Sequence, residues 1–537
     1  MLGGQRGLVV ATFVSVLALG AAGCGGSAGS KSGAPASPSS GRTRNTAIRT
    51  ASTPPIAPDV VPAGAKRLHF KVGPITIEPG QNNIYTQGRI PQPTGDGWIV
   101  GMHPDLRYPD GTVPPVDVIH LHHGVWLNLR SHDSTSGLPE RFFAAGEEKT
   151  QMVLPKGYGY QFNAADHWVL NMMLHNITPT RATVFVTYDV DFIPANSPAA
   201  KGIIPARPIW MDVQNGSIYP VFDVLRGSGT NGRYTFPDDA KDPYGTNPPR
   251  NEWTVDADGV LIATAGHVHP GGLQTDLWLQ RNGATAPAGK AKAGHADTAH
   301  LYTSTAHYFE PAGNVSWDLA ATGTQPNWAV SVKKGDKLSI SATYDSKTAT
   351  WYESMGIMVV WMAAKTNGTN AFQTSVDTAG LLTHGHLPEN NNHGGKADPS
   401  HFTDLTKAPS QREPDGYTIP ISDFVYARGD MSNSDAVPTI APGQSLTFKN
   451  LDAPLANGIW HTITACRAPC NGATGVAYPL ANADIQFDSG ELGAVGPPTA
   501  GSLTWSTPKD LPPGTYTYFC RIHPGMRGAF RVAKAGA

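Results

Sequence analysis

Turn-forming residues punctuate this chain too often for long helices. Its 537 residues include 59 glycines and 46 prolines, while charged residues make up only 15%. Glycine and proline break helices and mark turns, so the segments between them are short. That pattern suits sandwiches and barrels of short strands, and the expected fold class is all-β. The chain is also too long for one hydrophobic core, so several domains are expected. Net charge is −2 with no large basic block, which leaves a nucleic-acid partner without electrostatic support.

Residues 1–24 read as an export signal. Arg6 supplies positive charge, Leu8 to Leu19 form an apolar run too short to span a bilayer, and Ala21-Ala22-Gly23-Cys24 ends it. Small residues before a cysteine resemble a bacterial lipobox. The resemblance implies that Cys24 is lipidated and anchors the protein to the outer face of the cytoplasmic membrane, at the bacterial cell surface. Ala21 stands where that motif usually has leucine, and plain secretion is the alternative. Residues 25–65, rich in Gly, Ser, Ala and Pro, cannot bury enough apolar surface to fold. They read as a tether with a reach of roughly 30–40 Å.

Beyond Cys24 three cysteines remain, Cys466, Cys470 and Cys520. An exported protein normally pairs its cysteines, so an odd count leaves one thiol to explain, and metal explains it. From about residue 413 the chain alternates in short strands bounded by turn residues, as an antiparallel sandwich or barrel would. Cys520-Arg-Ile-His523-Pro-Gly-Met526 follows one such strand, and His461 lies on an earlier one. Two imidazoles, a thiolate and a weak thioether make up the trigonal blue-copper set used for electron transfer. The C-x2-H-x2-M loop resembles the short ligand loop of cupredoxins of the amicyanin group. That resemblance implies a Greek-key β-barrel over 413–537 and an electron donor or acceptor, protein or small reductant, as partner. Cys466 and Cys470 are spaced C-x3-C and read as a local disulfide. Dinuclear copper A sites share this spacing but carry a histidine four residues later, where this chain has Thr474.

The region before it carries histidines in Val118-Ile119-His120-Leu121-His122-His123-Gly124, at His175, and in His267-Val268-His269-Pro270. Residues two apart on a strand share a face, so His267 and His269 can grip one ion. Adjacent His122 and His123 would face opposite ways on a regular strand and need a bulge or a strand end to share one. These residues define two candidate metal clusters. Their order, with Met355 in YDSKTATWYESMGIMVVWM, resembles the copper type II monooxygenases, the peptidylglycine α-hydroxylating and dopamine β-monooxygenase family. The resemblance covers about 300 residues. It implies two jelly-roll-like β-sandwich subdomains, at 66–205 and 206–365, each with one copper. His122, His123 and His175 would hold the electron-supplying copper, and His267, His269 and Met355 the catalytic copper that binds O2. Met358 and Met362 lie near, and only the resemblance selects Met355. The family's reductant is ascorbate.

Departures from the family narrow the substrate. No cysteine lies between 25 and 465, whereas family members staple these subdomains with disulfides. The residues that hold a peptide substrate's carboxylate align with Ala265, Ile357 and Val359, which argues against a glycine-extended peptide. Residues 366–412 form a linker in which His384, His386 and His393 either hold a further ion or are simply polar. The reading is an exported copper redox protein: a monooxygenase-type body hydroxylating a C–H bond with O2, served by its own blue-copper domain. The alternatives are a non-catalytic copper-binding electron carrier and a multicopper oxidase or nitrite reductase-like enzyme. Oxidases flank the copper cysteine with histidines, whereas Cys520 has Phe519 and Arg521.

Overall fold

A computed structural model describes residues 53–534 except 81, 117, 215–219, 241–250, 310–314, 366, 385–402, 454–457, 468–484, 494, 497–498, 501 and 524. The export signal, Cys24, Cys470 with its expected disulfide, His386 and His393 lie outside the described residues. Thr53–Ala537 forms one compact unit. The all-β expectation holds: strands and turns account for the described chain apart from a single helical turn at Pro198–Ala200.

Side-chain alternation sets the inner face of each strand. In Ala182–Pro194, Val184, Val186, Tyr188 and Val190 are buried, and the residues between them only half-buried. Branched and aromatic side chains suit such a pleated surface. This strand pairs with Lys66–Ile77 on one side and Gly97–Arg107 on the other. A second sheet runs in the order Asn82–Gly88, Trp168–Asn176, Ile119–His132, Pro139–Gly146. Trp126, Phe142, Trp168, Val186 and Tyr188, drawn from both sheets, share one buried core. Ile119–His132 and Trp168–Asn176 are the strands that carry His120, His122, His123 and His175.

In the next part of the chain, Ile357–Ala363 lies between Ile204–Asp212 and Gly259–His267. Gly272–Gln280 lies between His295–Tyr308 and Lys337–Asp345. Leu277, Leu301, Ile340, Met358 and Val360 fill the core. Met358 and Val360 thus point inward, leaving Ile357, Val359 and Trp361 on the other face of their strand.

The carboxy-terminal segment builds two sheets. One is ordered Ser410–Arg412, Val437–Ile440, Arg527–Val532, Gly514–Phe519, Thr464–Arg467, Phe487–Asp488. The other is ordered Val425–Tyr426, Tyr417–Ser422, Leu446–Asn450, Thr504–Ser506. Three pairings are parallel, Ser410–Arg412 with Val437–Ile440, Tyr417–Ser422 with Leu446–Asn450 and Val437–Ile440 with Arg527–Val532, where the strand pattern led us to expect antiparallel sheets. Alternation specifies which face a strand buries and is silent about the direction of its neighbour. Tyr426, Phe448, Tyr516, Tyr518 and Phe530 form the aromatic centre, in the same buried cluster as Trp317 and Trp351 of the preceding part.

Phe142 is fully buried, stacked on Tyr160 at 5.2 Å and packed against Trp168 at 4.8 Å between ring centroids. Phe142→Ala is expected to cost about 3–5 kcal/mol in denaturant unfolding, through lost transfer energy and the cavity left behind. A cost under about 1 kcal/mol would contradict this packing.

Candidate metal centres

Cys520 follows the strand Gly514–Phe519 and opens a tight loop. Its N–H donates to the Met526 carbonyl at 3.1 Å, and the Met526 N–H donates to the His523 carbonyl at 2.8 Å. His461 is pinned by two backbone hydrogen bonds exchanged with Leu492. Cys520 Sγ lies 3.5 Å from His523 Nδ1 and 3.9 Å from His461 Nδ1, and the two nitrogens are 3.1 Å apart. The point equidistant from the three atoms is about 2 Å from each, the length of a bond from a first-row metal ion to imidazole nitrogen. A soft thiolate with two imidazoles in a plane suits copper.

The surroundings support that set. The N–H groups of Thr462 and His523 both donate to Sγ at 3.3 Å. Burial opposes ionisation of the thiol, but His461 and these amides more than offset it, and the thiol's pKa falls below its ordinary value. His461 Nε2 is held by Asp452 at 2.8 Å, which fixes the ring and leaves Nδ1 for a metal. Met526 is buried in the same loop, and the Phe424 ring meets both imidazoles edge-on.

The second cluster depends on a bulge. Ile119–His132 slips register against Trp168–Asn176 between Leu121 and His123, so His122 is the extra residue. A bulge re-aims side chains that regular pleating would send to opposite faces. Ligand atoms of His122, His123 and His269 consequently lie within 4.8 Å of one another. Gly259–His267 ends at His267, so His269 sits in the following turn, with its ring 5.1 Å from that of His267. His175 lies 6.1 Å from His122 and 5.0 Å from His120, ring to ring. The histidines expected at two coppers therefore line one buried nest, whose tightest triad takes members from both sets. His120 joins them.

Burial, reinforced by neighbouring imidazoles, holds the pKa values of His122, His175 and His269 well below the ordinary value. The rings are thus neutral, the state in which imidazole binds metal. Three rings of the nest are oriented from behind, that of His120 by the Val116 carbonyl at 2.7 Å from Nδ1. His267 Nδ1 pairs with the Glu148 carboxylate at 2.9 Å, and His269 Nδ1 with the Glu353 carbonyl at 2.9 Å. Their Nε2 atoms have no hydrogen-bond partner among the described residues. A metal-binding imidazole is commonly held this way by its other nitrogen. Glu147, fully buried, stands 3.6 Å from His122 Nδ1, and burial together with the charge of Glu148 favours its protonated form.

Met355 is tied to this nest through its backbone. The Tyr344 hydroxyl accepts from the N–H groups of His269, at 2.9 Å, and Met355, at 3.0 Å, and donates to the Met355 carbonyl at 2.7 Å. The Met355 side chain is buried with Trp210, Val221 and Ile357. His384 is buried after Gly380–Leu382, with Phe309 as its ring neighbour at 6.4 Å. Glu147, Glu148, Trp317 and Tyr344 were not foreseen from the sequence. The paired acids closing the apolar run FFAAG were the one available signal, since a charge-poor chain seldom puts two carboxylates at a strand end.

The two centres touch. The His523 ring lies 6.1 Å from that of His175. Trp317 stacks on His120 at 4.4 Å, meets His175 edge-on at 5.6 Å, and donates its indole N–H to the Ile522 carbonyl at 3.3 Å. Arg521, buried beside Cys520, pairs with Asp488 at 3.0 Å, donates to the Thr350 carbonyl at 2.8 Å and covers the Trp351 ring. Between the centres lies a cavity of about 60 Å³ lined by His122, His175, His269 and His523.

No protein-family model matches this chain, and no curated protein matches it. Among solved structures it is similar to the Cu-containing nitrite reductase (NirK) from Thermus scotoductus SA-01, at 15% sequence identity and a TM-score of 0.15. The match covers 52% of this chain and 59% of that one.

Glu148→Gln keeps the side-chain shape but removes the charge that orients His267. Copper affinity of the nest is expected to fall roughly 10- to 100-fold, with the thiolate site unaffected. Unchanged affinity in a chelator competition would contradict the orienting role.

Proposed function

We propose that this chain is an exported copper oxidoreductase that passes electrons from a blue-copper site to a histidine-held copper site, where dioxygen is used to hydroxylate a substrate C–H bond. The observation that carries the reading is the contact between His523, a ligand candidate of the first site, and His175 of the second. His461, Cys520, His523 and Met526 would hold the blue copper. His122, His123 and His175 would hold the electron-supplying copper, and His267, His269 and Met355 the one that meets O2. Bound copper supplies the one-electron redox changes and the activation of dioxygen.

The rest falls to the chain itself. One oxygen atom enters the C–H bond as a hydroxyl, and the other leaves as water with two electrons and two protons. Electrons enter from ascorbate, another small reductant or a donor protein. Trp317 lines the junction between the sites. The cavity of about 60 Å³ has room for a molecule the size of dioxygen or a few waters. A lipid on Cys24 would keep the enzyme at the outer face of the membrane within reach of such donors.

A second reading has one specific observation in its favour. The tightest grouping, His122, His123 and His269, is a single three-histidine site, as a one-site reductase or oxidase fed by blue copper would need. Copper counting separates the readings: three per chain for the monooxygenase type, two for this alternative, one for a simple carrier. We expect three. His175→Ala should retain the thiolate band, lose one copper and lose most reductant-driven oxygen consumption. A variant with unchanged copper content and oxygen consumption would remove the monooxygenase reading.

A further inference from the structure

A second, larger cavity reaches the nest at His267. It has a volume of about 660 Å³, and His267 and Glu148 are the members of the nest and its supports that line it. That volume is in the range of small-molecule sites. Its wall follows from strand register. Gly259–His267 pairs with Ile357–Ala363 so that Ile357 lies opposite His267, Val359 opposite Ala265, and Trp361 opposite Ala263. Alternate residues share a face, so these six form one surface that begins at the imidazole and runs outward for about 13 Å, at 3.3 Å per residue. Phe143 and Met152 close it from the neighbouring sandwich.

The polar content of this cavity is distributed unevenly. Among the described residues, its only basic side chains besides His267 are Lys156 and Lys201, both exposed. The one carboxylate among them, Glu148, is engaged with His267, Gly146 and Thr150. Among the described residues, then, no buried cation waits there for a carboxylate, and no free carboxylate waits for an amine. Burying an unpaired ion against this wall would cost several kcal/mol.

We propose that this cavity takes an uncharged, mostly apolar small molecule lying along the Ala263–His267 wall with one end against His267. The claim that this molecule is the substrate rests on the function proposed above; the claim that it binds does not. Ala265 and Val359 are half-buried and line the open space, so they select by size and polarity.

The test is equilibrium binding to the full copper-loaded chain, followed by displacement of the neutral dye Nile red. Decanol should displace the dye at least tenfold more effectively than decanoate or decyltrimethylammonium. Val359→Arg should weaken dye binding at least tenfold at unchanged copper content. Ala265→Leu, a milder change that only fills space, should weaken it in the same direction. Decanol should also perturb the electron paramagnetic resonance signal of the nest copper and leave the thiolate band alone. Preference for either ion, or dye binding indifferent to both substitutions, would overturn the proposal. Decanol binding in a protein that contains only the blue copper would leave the cavity assignment standing and remove the hydroxylation reading, so the two failures are distinguishable.

Discussion

Packing imidazoles against one another inside a protein works only while they stay neutral and while each ring nitrogen has something to face. That constraint governs the centre of this molecule. Six rings, those of His120, His122, His123, His175, His267 and His269, are buried together in it. Desolvation removes the charge of His120, His122, His123, His175 and His269, and a carboxylate or backbone carbonyl holds Nδ1 of His120, His267 and His269. What remains is a set of unprotonated nitrogens turned toward one another, at a cost in buried polar surface that a purely structural core would avoid. A metal ion is the partner that such a set fits.

The second determinant is how the ligand loop of the carboxy-terminal domain meets this nest. The two residues between the candidate ligands Cys520 and His523 make the attachment. Arg521 reaches Thr350 and Trp351, and the Ile522 carbonyl accepts from Trp317. These contacts bring His523 against His175, so that a change at one centre is delivered within a few ångströms of the other. The nest then has two approaches of different character. The small junction cavity is lined by His523 of the thiolate site, and the apolar cavity runs along Ala263–His267.

The sequence disclosed these features unequally. The grouping of His461, Cys520 and His523 was legible because a lone thiol in a chain read as exported has few explanations and the loop spacing suggests its partners. The requirement for a bulge at His122–His123 followed from the two-residue period of strands, and a register slip is present there. The grouping of histidines was not legible. His269 leaves its strand at the turn, and turn geometry rather than periodicity carries it toward His122. Trp317, Tyr344 and Glu148 act through tertiary contacts 75 to 205 residues apart in sequence, which no local pattern encodes. The parallel pairings of the carboxy-terminal sheets escaped for the same reason.

In the proposed function the thiolate site and the histidine nest exchange electrons inside one chain. Pulse reduction of the fully oxidised, copper-loaded protein without oxygen tests it most directly, with the thiolate absorption as the readout. The account predicts that the bleached band recovers with a first-order rate independent of protein concentration, as the electron passes through the His523–His175 contact to the nest. A band that stays bleached, or that recovers at a rate proportional to protein concentration, would contradict it.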